Sequence, residues 1–409
     1  MNVSRIVLSS LLAASLSLTG CGGDSTSDVT TPDTTGGDTT GGDTTGGDTT
    51  GGDTTGGDTT GGDDTTDTTP FLNQVLSAIG TNVILVSYAN FETKAAALVT
   101  ALADYNLELD AGTVSTETRE NVQNVWVETM TAWQFAEVLQ LGPAAPLGGV
   151  QPAVGAMGLR DEIYSWPLSV NRCRVDQELV EEKFGQDTFF QQELNNVYGL
   201  DASEYLIFAT GTDNTCPPQA TINSQGTWAQ LSSSELELSR AAYAWALSEN
   251  ILSRADELHA AWDPEQGNFL ADFAGAGLES SSVYSSAQEA LNDLSDAIFY
   301  VEKTVKDYKL ARPAGIFGCS ADTCPENVES LYSRMSREAI IANLQAAHQV
   351  FTGGADDALG LEDYVKTKDG GEEIVTVMVD SLSDTVVALE AIDGSLYDTV
   401  AEESEACTE

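Results

Sequence analysis

From Pro70 onward the chain is a succession of long segments whose apolar residues return every three or four positions. That period leaves few folds open. FLNQVLSAIGTNVILVSYANFETKAAALVTALADY, STETRENVQNVWVETMTAWQFAEVLQ and SSSELELSRAAYAWALSENILSRADELHAAW are the longest examples. Several begin with Ser or Thr followed three residues later by an acid, the pattern that caps a helix start. No Asn-Gly or Asp-Gly hairpin separates alternating runs, so strands are not expected. The predicted class is all-α, two antiparallel helical-bundle lobes packed against each other. The Gly- and Pro-bearing stretch Gly211 to Gly226 sets their boundary, with lobes of about 70–215 and 226–409.

The residues before Pro70 carry no such pattern. Arg5 precedes a short apolar run, IVLSSLLAASLSL, too short to span a bilayer and arranged like a secretory signal over residues 1–20. Leu18-Thr19-Gly20-Cys21 reads as a lipobox, with Cys21 the lipidated first residue of the mature chain. A multiply acylated Cys holds a protein at a membrane without a spanning helix. Gly22 rather than Asp after Cys21 favours the outer membrane, facing the periplasm or the cell surface. Residues 21–69 hold TTGGD repeats from Thr34 to Asp63. With no apolar side chain to bury, this tract is expected to be a disordered linker. About 45 residues of Gly-rich coil give a root-mean-square reach of roughly 35–40 Å.

The formal net charge is -47, from 64 acidic and 17 basic side chains. Such a surface repels nucleic acid and anionic lipid, which excludes both as partners of the folded part. For an exported chain the cysteines after Cys21 are expected to form disulfides. Cys319 and Cys324 bracket a short loop and should pair; Cys173 with Cys216 is the next pairing, leaving Cys407 unpaired.

Two stretches place acids where a core is expected. Phe190, Leu194, Val197, Asp201, Glu204 and Phe208 follow one helical face, as do Val122, Trp126, Trp133, Glu137 and Leu141. Burying a carboxylate costs several kcal/mol unless a cation or strong donors compensate it. One reading gathers Glu137, Asp201 and Glu204 into an oxygen-only site for calcium, magnesium or ferric iron. The other lets Gly199 break the helix, making Asp201 an N-cap and Glu204 its capping-box partner. Arg160 and Arg172 are the candidate cation partners. Trp126, Trp133 and Trp166 either line a ligand cleft or fill the core.

Four stretches resemble the imelysin-like family, the M75 peptidases: WVETMTAWQFAEVLQLGP, RDEIYSWPLSVNR, GLDASEYLIF and ESLYSRMSREAIIANLQAAHQVFTG. GLDASEYLIF corresponds to the family's GxHxxE motif, with Gly199 and Glu204 in place and Asp201 where the motif has His. The resemblance implies a helical fold with the motif site near the junction of two lobes, in exported proteins linked to iron acquisition. A zinc hydrolase wants neutral imidazole ligands. The chain has only His259 and His348, neither in a HExxH pattern. The expected function is therefore an exported lipoprotein binding a ligand, a metal ion or an iron-related one, in an iron-uptake context. Its expected ligand-binding residues are Trp133, Glu137, Arg160, Gly199, Asp201 and Glu204, with iron-uptake or cell-surface proteins as partners. The alternatives are a metallopeptidase and a structural or adhesion module on a leash.

Overall fold

The computed structural model describes residues 69–148, 153–168 and 170–402. The signal and linker expectations, Cys21 and Cys407 lie outside them. The described residues are helical without any strand. Helix α1 (Thr69–Ile79) runs through a π turn at Gly80–Ile84 into α2 (Leu85–Asp110). Then come α3 (Thr116–Glu137), α4 (Leu159–Ile163), α5 (Arg172–Glu181), α6 (Leu200–Phe208) and α7 (Ser233–Trp262). Helix α8 (Ala287–Ile298), a π-helical segment Val301–Ala311, α9 (Ser336–Thr352) and α10 (Gly371–Glu390) complete the principal elements.

The caps form where the sequence places them. Ser115 Oγ accepts from Thr118 N at 3.0 Å to start α3. Ser232 and Glu235 close a reciprocal capping box at α7, satisfying two donors a helix start would otherwise leave orphaned.

The heart of the fold is a packed run of four helices: α7 against α2, α2 against α3, and α3 against α9, with α10 covering α9. Its interior is aromatic. Phe91 meets Trp133 with ring centroids 5.0 Å apart, and Tyr88 meets Trp262 at 6.0 Å. All four rings are essentially excluded from solvent. The segment Thr69–Asp110 is long and apolar enough to cross a membrane by composition, yet its apolar face is spent on this core. Helices from both sides of residues 211–226 pack into the same core, α2 and α3 lying between α7 and α9, so the packing does not confirm two separate lobes.

Both expected disulfides are present, Cys173–Cys216 and Cys319–Cys324. The first ties the start of α5 to the loop that follows α6.

Candidate functional site

The apolar seam read from Phe190 to Phe208 is not one helix. The chain makes a short turn at Phe189–Gln192, a 3-10 turn at Asn195–Val197, and then restarts at α6. Gly199 is the residue before that restart, at φ +90°, where a Cβ would lie 2.8 Å from the Ile163 carbonyl oxygen. Only glycine takes this conformation against that backbone without strain. Leu194, expected on the seam, is 72% exposed. The capping box between Asp201 and Glu204 does not form either, because Glu204 reaches away from the helix start.

Glu204 is 6% exposed. Its Oε1 accepts three hydrogen bonds from one loop: Tyr332 N at 3.1 Å, Ser333 N at 2.8 Å and Ser333 Oγ at 2.8 Å. Its Oε2 accepts none from the described residues and opens on a cleft. Asp201, one turn earlier and partly exposed, accepts from Ser165 Oγ at 2.6 Å and from Ala202 N at 3.0 Å. Burial pushes both carboxyls up to about 7, against the donors that hold their charged forms.

The cleft these acids face holds about 130 Å³. Trp166, Tyr205, Leu331 and Tyr332 form apolar walls, Glu326 and Glu329 add acidic groups, and Arg172 and Arg312 stand at its border. Arg172 does not pair with the acids. It donates to Tyr332 Oη at 2.8 Å and lies 5.8 Å from that ring's centroid. Trp166, joined to Pro167 by a cis peptide bond, and Glu329 line the cleft and also touch a buried charge cluster behind it.

That cluster is where Glu137 goes. Arg160 Nη2 donates to its Oε1 at 2.5 Å and Lys309 Nζ to its Oε2 at 3.2 Å. Lys309 is fully enclosed and also reaches Asn343 Oδ1 at 2.9 Å, Glu329 Oε1 at 2.9 Å and the Gln134 side chain. Glu329 Oε1 accepts further from Tyr164 Oη at 2.8 Å and Gln134 Nε2 at 3.0 Å. Trp166 and Tyr300 each present a ring 5.4 Å from the Lys309 ammonium. Burial raises the Glu137 carboxyl, but Lys309 and Arg160 outweigh it and the net shift is downward, so Glu137 is ionised. Glu329 goes the other way: burial and the neighbouring Glu137 lift it despite Lys309.

The structure thus brings Asp201 and Glu204 to one cleft and leaves four expected site residues out of its lining. Trp133 is core. Gly199 shapes the backbone behind α6. Glu137 and Arg160 neutralise each other one layer deeper. The oxygen-only metal triad of Glu137, Asp201 and Glu204 is not assembled, because the chain supplies its own cations to Glu137. Among the described residues no three His, Cys, Asp or Glu side chains gather so as to hold a metal ion. Glu204 Oε1 and both Asp201 oxygens accept hydrogen bonds from the protein, which leaves Glu204 Oε2 as the open ligand atom of this pair. His259 lies against Glu92, away from the cleft.

Sequence reasoning missed Lys309, Glu329, Ser165 and Ser333. Lys309 had a signal: Val301, Val305 and Lys309 share one face at four-residue steps, and a lysine continuing an apolar stripe is a buried one. The serines had none, since their role depends on loops that only the tertiary fold brings to α6.

Fold and cleft together define a class: an all-helical protein with a small, acid-lined, aromatic-walled cleft beside a dry ion-pair cluster. The chain belongs to the imelysin family, whose model (Peptidase_M75: Imelysin) matches residues 84–406. An imelysin-like crystal structure from Psychrobacter arcticum 273-4 is similar in fold, with a TM-score of 0.58 and 16% identity over 83% of this chain and 92% of that one. An iron-regulated protein A precursor from Parabacteroides distasonis ATCC 8503 is similar to the same degree, at TM-score 0.58 and 16% identity over 82% and 91%. No curated protein matches the chain.

Proposed function

We propose that this chain is an exported, lipid-anchored binding protein of the imelysin family that takes a small cationic ligand into the Asp201–Glu204 cleft, in an iron-uptake setting. One observation carries the reading. Glu204 is almost wholly buried, three donors fix one of its oxygens, and the other faces the cleft with no partner. The cleft-facing oxygen of this otherwise buried carboxylate is the one atom of the group left open, and it offers a visiting cation a hard oxygen ligand. Asp201 and Glu326 add negative charge to the same space. A cargo ion that keeps several of its waters needs only one or two carboxylates from the protein, which is what the cleft offers. The iron setting rests on the description of the Parabacteroides relative, and the anchor on the Leu18–Cys21 lipobox.

Calorimetric titration of chelator-treated protein with calcium, magnesium and ferric citrate tests the reading. Saturable binding of at least one ion is expected, weakened at least tenfold by Glu204→Gln. That variant keeps an acceptor for the Tyr332 and Ser333 donors and replaces the open oxygen with an amide N–H, so the fold is retained. No heat with any ion would end the proposal. Chelator-sensitive digestion of an unfolded protein, lost in the same variant, would put a peptidase in its place.

A further inference from the structure

A second cavity, of about 230 Å³, lies on the other side of α6. The helix divides the two spaces. Asp201, Glu204 and Tyr205 face the acidic cleft, whereas Leu206 and Ile207 face the second cavity. Leu102, Val122, Leu236 and Ala244 complete an apolar wall, and nothing in the proposed cation-binding role uses this space.

The lining holds two arginines, Arg119 and Arg240, against one acid, Glu237, in a chain with 17 basic residues against 64 acidic ones. Arg240 is 8% exposed. Its Nη1 donates to the Gly211 carbonyl at 2.9 Å, while its Nε–H is buried with no acceptor. Asp176 acts on Arg240 electrostatically, but its own oxygens accept from Tyr205 Oη at 2.9 Å and from Thr215 N and Oγ1 at 2.8 Å each. Arg119 stands at the mouth with its side chain 48% exposed, paired with Glu237, which also accepts from Tyr105 Oη at 2.8 Å. Ser233, the first residue of α7, also lines the cavity, beside the helix start that Ser232 and Glu235 cap.

We infer that this cavity binds a small carboxylate with an apolar tail: the carboxylate against Arg240 and Arg119, the tail among Leu102, Val122, Leu206 and Leu236. A buried guanidinium in the cavity wall selects a planar anion, and apolar walls reward a hydrocarbon tail over an inorganic ion. Thr210 and Thr212 at the rim add hydroxyl donors.

Titration of the full chain with acetate, butyrate, hexanoate, inorganic phosphate and hexanol, followed by calorimetry, tests the assignment. Affinity is expected to rise roughly fourfold per added methylene until the cavity is filled. Phosphate and hexanol should bind at least tenfold more weakly than hexanoate. Arg119→Gln, at the exposed mouth, should weaken hexanoate several-fold, and Ala209→Leu, which fills the cavity without touching a charge, should abolish its binding. Glu204→Gln should leave it unchanged, which separates this site from the cation cleft. Affinity independent of chain length, phosphate or hexanol binding as tightly as hexanoate, or full binding by a folded Ala209→Leu variant would each overturn the inference.

Discussion

Replacing Lys309 with Met removes one ammonium from a place that water does not reach. The structure says where the cost falls. Glu137 keeps Arg160 at 2.5 Å and so keeps a counter-ion. Glu329 keeps only neutral donors, Tyr164 at 2.8 Å and Gln134 at 3.0 Å, and its carboxyl is already shifted upward by burial. Breaking a buried pair by removing one partner costs about 3–5 kcal/mol. For a domain of this size that corresponds to a fall in melting temperature of roughly 5–15 °C. Glu329 has an escape, which is to take up a proton. Its folded pKa then lies further above the unfolded value of 4.5, so the folded state binds the extra proton between those values and stability falls as pH rises through that window. The Lys309→Met penalty should accordingly be larger at pH 8 than at pH 5. Adding Glu329→Gln should recover most of it, because the amide oxygen still accepts from Tyr164. Urea denaturation of the two variants at both pH values reads all of this. A penalty below about 1 kcal/mol that does not change with pH would refute the picture of a dry, ionised cluster.

Asp201 and Glu204, both held at about 7 against ordinary values of 3.8 and 4.5, should tilt stability with pH. Between about pH 4.5 and 7 the folded state keeps protons that the unfolded state has lost, so stability should drop by up to roughly 1.4 kcal/mol per pH unit per group as pH rises; the Asp201→Asn/Glu204→Gln variant should lose that slope in denaturant titrations. Gly199→Ala should cost about 1–3 kcal/mol, read from thermal melts, because φ +90° is strained for alanine and its Cβ would crowd the Ile163 carbonyl. Removing the Cys173–Cys216 bridge, which closes a separation of 43 residues, should lower stability by about 3–4 kcal/mol, more than removing Cys319–Cys324 with its separation of 5. Cys21→Ser should move the expressed protein from the membrane to the soluble fraction, with the lipid adduct absent by mass spectrometry.

Periodicity carried the fold a long way. A helical stripe is a local property, so the long segments, the caps at Ser115 and Ser232 and the aromatic seam around Trp126 and Trp133 could be read residue by residue. The continuous seam from Phe190 to Phe208 failed and the alternative of a break at Gly199 held, since a single glycine at positive φ resets the helix, although the capping box expected with that break did not form. The acids were legible as anomalies, and their destinations were not. Glu137 and Glu204 each interrupt an apolar stripe. One is neutralised by Lys309 and Arg160 from distant segments, the other by backbone N–H groups of Tyr332 and Ser333. Those partners lie between 23 and 172 residues away along the chain, and no local pattern encodes such a meeting. The same holds for the helix order, in which α3 packs not only on its sequence neighbour α2 but also on the distant α9.

The most direct measurement is the pH dependence of cation affinity in the wild-type protein and the Asp201→Asn/Glu204→Gln variant. If the ion enters by displacing protons from these two buried carboxyls, the association constant should climb by about tenfold per pH unit for each proton displaced between pH 5.5 and 7, then level off above about 7.5. The variant should bind at least a hundredfold more weakly at pH 7.5. Affinity that is flat from pH 5.5 to 8, or undiminished in the variant, would show that the cleft on α6 is not where the cation goes.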